Sequence, residues 1–166
     1  MRLLGVLCVL LACAAAGCYA ARRLKDAAEA QTCLIALTED AAALIRCLQP
    51  ELPEMLLDLS EKPIYRRFTF LRAAGEGMRP GTPPADIWTA AVDADPAVPQ
   101  EVRGILCRLG ATLGTTDVTG QLAVLSLIRT ELAQTAAAAR ERSRTQGQLF
   151  SRLGLLGGAM AAVLLL

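Results

Sequence analysis

The side chains of this chain with the greatest chemical reach are six cysteines, Cys8, Cys13, Cys18, Cys33, Cys47 and Cys107, and a threonine-rich turn from Thr112 to Asp117. Cysteine offers a thiolate nucleophile or a soft metal ligand, but both uses need an activating base or a clustered spacing. There is no CxxC pair, and three of the six lie inside the first apolar run. The other three sit among apolar neighbours, the pattern of small buried hydrophobes in a reducing compartment. The threonines would need a general base, and the chain contains no histidine, so helix capping is the simpler use of that turn. The phosphate-cradling GxxxxGK[ST], the HExxH zinc helix, the GxSxG elbow and a strand-borne GxGxxG are all missing. These observations predict a non-enzymatic protein with no metal or cofactor.

The elements that carry these residues follow from composition. Hydrophobic residues make up 54% of the 166, aromatics only 4%, and mean hydropathy is positive. Alanine and leucine dominate, which favours helix and leaves few strand formers. The expected class is all-α. A net charge of +1 offers no overall field for a polyanion, so no nucleic-acid partner is expected.

The excess hydrophobicity lies at the two ends. Leu3 to Ala21 is uncharged throughout, enough for about 28 Å of helix and close to the thickness of a bilayer core. Arg22, Arg23 and Lys25 follow it, and such a basic flank stays on the cytoplasmic side. Leu153 to Leu166 spans if Leu149 and Phe150 join it and Arg152 snorkels, and Arg140, Arg142 and Arg144 precede it. This predicts an N-terminal transmembrane anchor at 1–21, a cytoplasmic helical bundle at 22–148 and a C-terminal transmembrane segment at 149–166. A competing reading remains: Leu10 to Cys13 approximates a lipoprotein box before small residues, which would make an exported lipoprotein, although the basic cluster just beyond opposes export. Gly154 and Gly158, continued by Ala162, have the small-residue spacing that lets membrane helices approach closely.

Between the ends, apolar residues recur at helical spacing from Leu24 to Leu48, and Pro50 stops them. Pro53 opens a second helix, Ile64 to Met78 reads as a third, Asp86 to Ala94 as a fourth and Gln100 to Leu113 as a fifth ending at Gly114. Thr116 or Asp117 caps the last helix, whose seam is Gln121, Leu125, Ile128, Leu132, Ala136 and Ala139. Two long helices joined by four shorter ones predict an antiparallel bundle of about six. Trp88 is expected in its core. Charge is segregated: residues 39–61 hold six acids against Arg46, and Lys62 to Arg79 holds five bases against Glu76. Complementary charge is one way to dock a protein, which makes Glu51, Glu54 and Asp58 docking candidates.

The order of these segments resembles the stage III sporulation protein AB family of endospore-forming Firmicutes. The resemblance rests on YAARRL at Tyr19–Leu24, the dipeptide Ile87–Trp88, LGATLGTTDVTGQL at Leu109–Leu122 and the closing RLGLLGGAMAAVLLL. Departures are the Ala- and Cys-rich first segment and the proline-heavy loop at Arg79–Pro84. The resemblance implies a domain similar to the cytoplasmic domain of type II secretion system F platform proteins, in the mother-cell membrane around the forespore. It further implies a non-catalytic subunit of a transenvelope channel, working with other stage III channel proteins and a separate cytoplasmic ATPase, in contact with membrane lipid and open to homo-oligomer formation. Gly114, Asp117 and Gln121 in the quoted string would then be structural or a docking surface. The opposing class is an exported lipoprotein or anchored helical binding module with no secretion role.

Overall fold

A computed structural model describes the backbone of residues 2–79, 81–113 and 115–165, and the side chains within 15–145 apart from positions 80 and 114. It is all-helical among the described residues, with six α-helices: α1 (Arg2–Cys47), α2 (Leu52–Glu61), α3 (Thr69–Gly77), α4 (Pro84–Ala94), α5 (Gln100–Thr112) and α6 (Val118–Leu165). The chain forms two compact units, one of residues 29–136 and one of residues 1–28 with 137–166. Both long helices are continuous into the apolar ends, as their unbroken sequence patterns predict. Among the described residues no helix is long and apolar enough to cross a membrane. The predicted spans fall largely on residues 1–14 and 146–166, whose side chains, with Gly154, Gly158 and Ala162, lie outside the described residues.

The core of the 29–136 unit is assembled from one face of every helix. α1 contributes Leu34, Leu37, Ala41 and Ile45, and α6 contributes Leu125, Ile128 and Leu132, residues three and four apart on their helices. Glu39 of α1 pairs with Arg129 of α6 at 2.7 Å, and Arg46 shares a groove with Leu122. The α1 numbers rise as the α6 numbers fall, so the two segments run antiparallel. The short helices fill the other side, α2 packing on α3, α3 on α4 and α4 on α5. Gln31 and Thr38 are the polar members of the α1 face. Thr38 donates to the Ile35 carbonyl at 2.7 Å, whereas Gln31 Oε1 has no hydrogen-bond partner among the described residues.

Three expectations are corrected. The α1 stripe ends before Leu48, which is 72% exposed: the Leu48 and Gln49 N–H groups both donate to the Leu44 carbonyl, and Gln49 turns the chain with a φ of 48°. The helix expected over Ile64–Met78 is broken into a 3₁₀ turn at Pro63–Tyr65 and then α3. Phe68 and Phe70 are both buried, yet residues two apart point to opposite sides of a helix. An extended residue must intervene, and Phe68 supplies it with φ −96° and ψ 101°. The fourth helix begins at Pro84 rather than Asp86, since proline is well suited to a first turn.

α2 follows the sequence closely. Pro53 lies in its first turn, and Met55, Leu56 and Leu59 form its buried face. α3 lies so close that a Cβ at Gly75 would stand 3.2 Å from the Pro53 carbonyl oxygen and 3.0 Å from Leu57 Cγ.

Candidate functional site

Four groupings of polar or special residues emerge, those of Trp88, Asp95, Asp40 and Asp117, and two clefts open on the surface. The first joins α4 to α5. Trp88 is 2% exposed and meets Phe70 edge-on, ring centres 5.5 Å apart. Its indole lies directly on the α5 backbone at Gly110, where a Cβ would stand 2.7 Å from Nε1 and nearer still to Cδ1 and Cγ. That approach lets Nε1 donate to the Leu106 carbonyl at 2.7 Å, which satisfies the one polar atom of the ring. Trp88 is thus the core anchor the sequence predicts, and it seats on a glycine of the LGATLG string.

Asp95, in the loop between α4 and α5, organises the second grouping and is not among the sequence-predicted site residues. It is 1% exposed. Its Oδ2 accepts the Phe70 N–H at 2.9 Å and its Oδ1 accepts the Ala97 N–H at 2.8 Å. Phe70 is in the first turn of α3, where N–H groups lack intrahelical partners. The residue at the N-cap is Phe68, whose side chain makes no capping bond, so Asp95 caps α3 from the α4–α5 loop. Arg103 holds that loop from the other side, donating to the Asp93 carbonyl at 2.8 Å and the Asp95 carbonyl at 2.9 Å. Asp followed by proline is a turn-initiating signal, but the sequence contains no sign that a helix 25 residues away needs the same carboxylate.

A smaller network ties α1 to the turn after α2. Lys62 Nζ lies 2.7 Å from Asp40 Oδ2, and the Tyr65 hydroxyl donates to the same oxygen at 3.0 Å. The hydrogen bond from Lys62 holds the Asp40 carboxyl below the usual range, partly opposed by burial. Burial and then the Asp40 carboxylate push the Tyr65 phenol well above its usual value. The signs separate the two ends of the pH scale. The lowered Asp40 contributes stability above the carboxylate range, lost as pH falls through its folded value, and modest because the pair is about 40% exposed. The raised Tyr65 contributes stability that is complete below about pH 10, where an unfolded tyrosine ionises, and is lost as pH rises beyond it. Thermal melts from pH 7 to 11 are therefore expected to fall above about pH 10, and less steeply in Tyr65→Phe; equal slopes would show that this phenol does not govern alkaline unfolding.

The sequence-predicted docking residues divide between two elements. Glu51, at the N-cap of α2, and Glu54 and Asp58 within the helix are exposed. Asp117 is the N-cap of α6: its Oδ1 accepts the Gly120 N–H at 3.1 Å and its carbonyl accepts the Gln121 N–H. Gln121 Nε2 reaches back to the Thr116 carbonyl at 2.8 Å. This turn is an N-terminal capping device, as its residue types suggest, and Gly114 lies outside the described residues. No hydrogen bond or ion pair joins the two sets among the described residues. Thr112 and Thr115 hydroxyls also donate to carbonyls, of Arg108 and Thr112. Burial, followed by the nearby Asp93 charge, raises the Cys107 thiol, which disfavours its thiolate. Among the described residues no group of three or more cysteine or acidic side chains is placed to hold a metal ion.

On the surface, a cleft of about 810 Å³ opens where α2 meets the 3₁₀ turn and α3, with Glu61, Arg66, Arg72 and Glu76 among its walls. A smaller groove of about 270 Å³ runs between α1 and α6 beside Glu39, Arg46 and Arg129. Neither has an enclosed nucleophile and base.

A helical core, locked by an indole on a glycine and by a shared carboxylate, and entered by two long helices, defines a helical-bundle protein whose described polar networks hold its own helices and loops together. The chain belongs to the stage III sporulation protein AB family, whose model matches residues 2–166. No curated protein and no solved structure matches it. Two of the motifs on which the family resemblance rests have structural work: Trp88 and Gly110 form the α4–α5 lock, and Asp117 with Gln121 caps α6.

Proposed function

We propose that this chain is a non-catalytic membrane platform subunit of a sporulation channel between mother cell and forespore, working beside a separate cytoplasmic ATPase. The observation that carries the reading is the family match over residues 2–166, which assigns a role in sporulation. Two features of the chain support its finer terms. The apolar stretches Leu3–Ala21 and Leu153–Leu166 are each flanked by arginines on the side facing the middle of the chain, the arrangement that keeps a middle region in the cytoplasm. The chain also lacks a phosphate-binding loop, so any ATP-driven step would fall to a partner.

Topology in sporulating cells tests this directly. Paired reporters, one active only in the cytoplasm and one only outside, are inserted in the Pro96–Pro99 loop and after Leu166. A cytoplasmic loop with an external C-terminus is expected. An external loop would overturn the platform reading and favour an exported binding module lipidated at Cys13 or Cys18.

A further inference from the structure

The exposed face of α2 is chemically unbalanced. Glu51, Glu54, Asp58 and Glu61 follow one another at three- and four-residue spacing and are all exposed, so they form one stripe opposite the buried Met55, Leu56 and Leu59. Glu51 and Glu54 are favoured by the helix dipole at the N-terminus, but Asp58 and Glu61 stand near the C-terminus, where negative charge is disfavoured and a cation is usual. No basic residue occupies the last turn of α2. Lys62, four residues after Asp58, is drawn away to Asp40 at 2.7 Å. None of the four acids has an ion pair or a side-chain hydrogen bond among the described residues.

The stripe runs directly into the charged cleft, because Glu61 belongs to both. Arg66 and Arg72 stand in the cleft walls. Arg72 makes only an exposed 3.4 Å contact with Glu76, and Arg66 makes no ion pair among the described residues. One surface thus presents an acidic strip beside a cleft whose walls carry Arg66 and Arg72 together with Glu61 and Glu76. Such a surface is complementary to itself when rotated by a half turn, since each strip then faces the other's cleft and both attractive contacts form at once.

We propose that two copies of this chain pair through the α2–α3 face about a two-fold axis, with Glu54 and Asp58 of each copy against Arg66 and Arg72 of the other. The contact does not rest on the platform reading. It is electrostatic and weakens as salt shortens the reach of the charges. It needs no further protein, and it leaves the α1–α6 groove and the Asp117 turn open.

The test uses the full chain in detergent micelles, with self-association followed by sedimentation. E54R/D58R and R66E/R72E are each expected to weaken pairing by about tenfold or more, because each sets like charges against one another in both halves of the contact. The chain carrying all four reversals is expected to pair again, to within about threefold of the natural chain, and the two doubly reversed chains are expected to pair with each other when mixed. These side chains are exposed, and unchanged helical circular dichroism and melting show that each variant is folded. A natural chain that stays monomeric at concentrations on the order of 100 μM overturns the proposal, as does association indifferent to both double reversals. Loss of pairing in each double reversal without recovery in the fourfold variant also overturns it.

Discussion

Gly110→Ala is expected to lower the melting temperature of the 29–136 unit by at least about 10 °C, a loss of roughly 3 kcal/mol. Alanine is normally the better helix residue by about 1 kcal/mol, so helix propensity alone predicts the opposite sign. The physical difference is the indole. A Cβ at this position overlaps the Trp88 ring, and the ring cannot give way by rotating a flexible end, since it is wedged against Phe70. Retreat of the ring also stretches the bond from Nε1 to the Leu106 carbonyl, leaving a buried donor short of its partner at a further cost of about 1 kcal/mol or more. Gly104 supplies the control on the same helix, because a Cβ there meets nothing within 4 Å. Gly104→Ala is expected to be neutral or to stabilise by up to about 1 kcal/mol. Combining Gly110→Ala with Trp88→Leu should cost less than the sum of the two, because the smaller side chain removes the overlap. Thermal unfolding of the four chains decides the matter: equal effects of alanine at 104 and 110, or strict additivity with Trp88→Leu, would mean that the ring does not rest on Gly110.

Asp95→Ala is expected to destabilise the same unit by about 3 kcal/mol or more, since it strands two N–H groups, that of Phe70 fully buried. Asn at this position keeps one acceptor oxygen but turns an amide NH₂ toward a donor, and should fall between aspartate and alanine. A stability measurement alone would not separate a lost cap from a general loosening. Hydrogen exchange does, because the Phe70 amide depends on Asp95 Oδ2, whereas the amides of α5 depend on their own helix. The expected result is a selective loss of protection at Phe70 and its neighbours in α3, together with a lower urea midpoint. Phe70 protection unchanged in Asp95→Ala would show that another acceptor caps α3.

Both effects are invisible to a reading that treats each helix by itself, and they mark the boundary of what was legible in the chain. The lone glycine in a helical run and the aspartate before a proline were each visible as local signals, but each signal had an adequate local explanation, a tolerated helix interior and a turn. Neither names a partner. The partner of Gly110 is 22 residues away in sequence and that of Asp95 is 25, and only the packing of α4 on α5 and of the loop on α3 brings them within contact. The same reasoning explains the broken third helix. Apolar residues over 64–78 satisfied a helical period, and the break at Phe68 arises because the core demands Tyr65, Phe68 and Phe70 together.

What the amino-acid sequence determined was set by short-range physics. Alanine- and leucine-rich composition and three-and-four spacing dictated an all-helical chain. Pro50, Pro53 and the prolines at 83, 84, 96 and 99 placed its breaks, and Asp117 was poised to cap α6. The charge asymmetry that leaves α2 acidic was also written in order along the chain. Tertiary structure alone decided which of those charges are used internally: Lys62 is spent on Asp40 and Glu39 on Arg129, whereas Glu54, Asp58 and Arg66 remain outward. It also decided where backbone groups orphaned by a helix end find their acceptors, because that depends on which loop the fold lays against them. Periodicity and propensity act over one or two helical turns, while burial and hydrogen bonding across the core act between residues that only the finished packing makes neighbours.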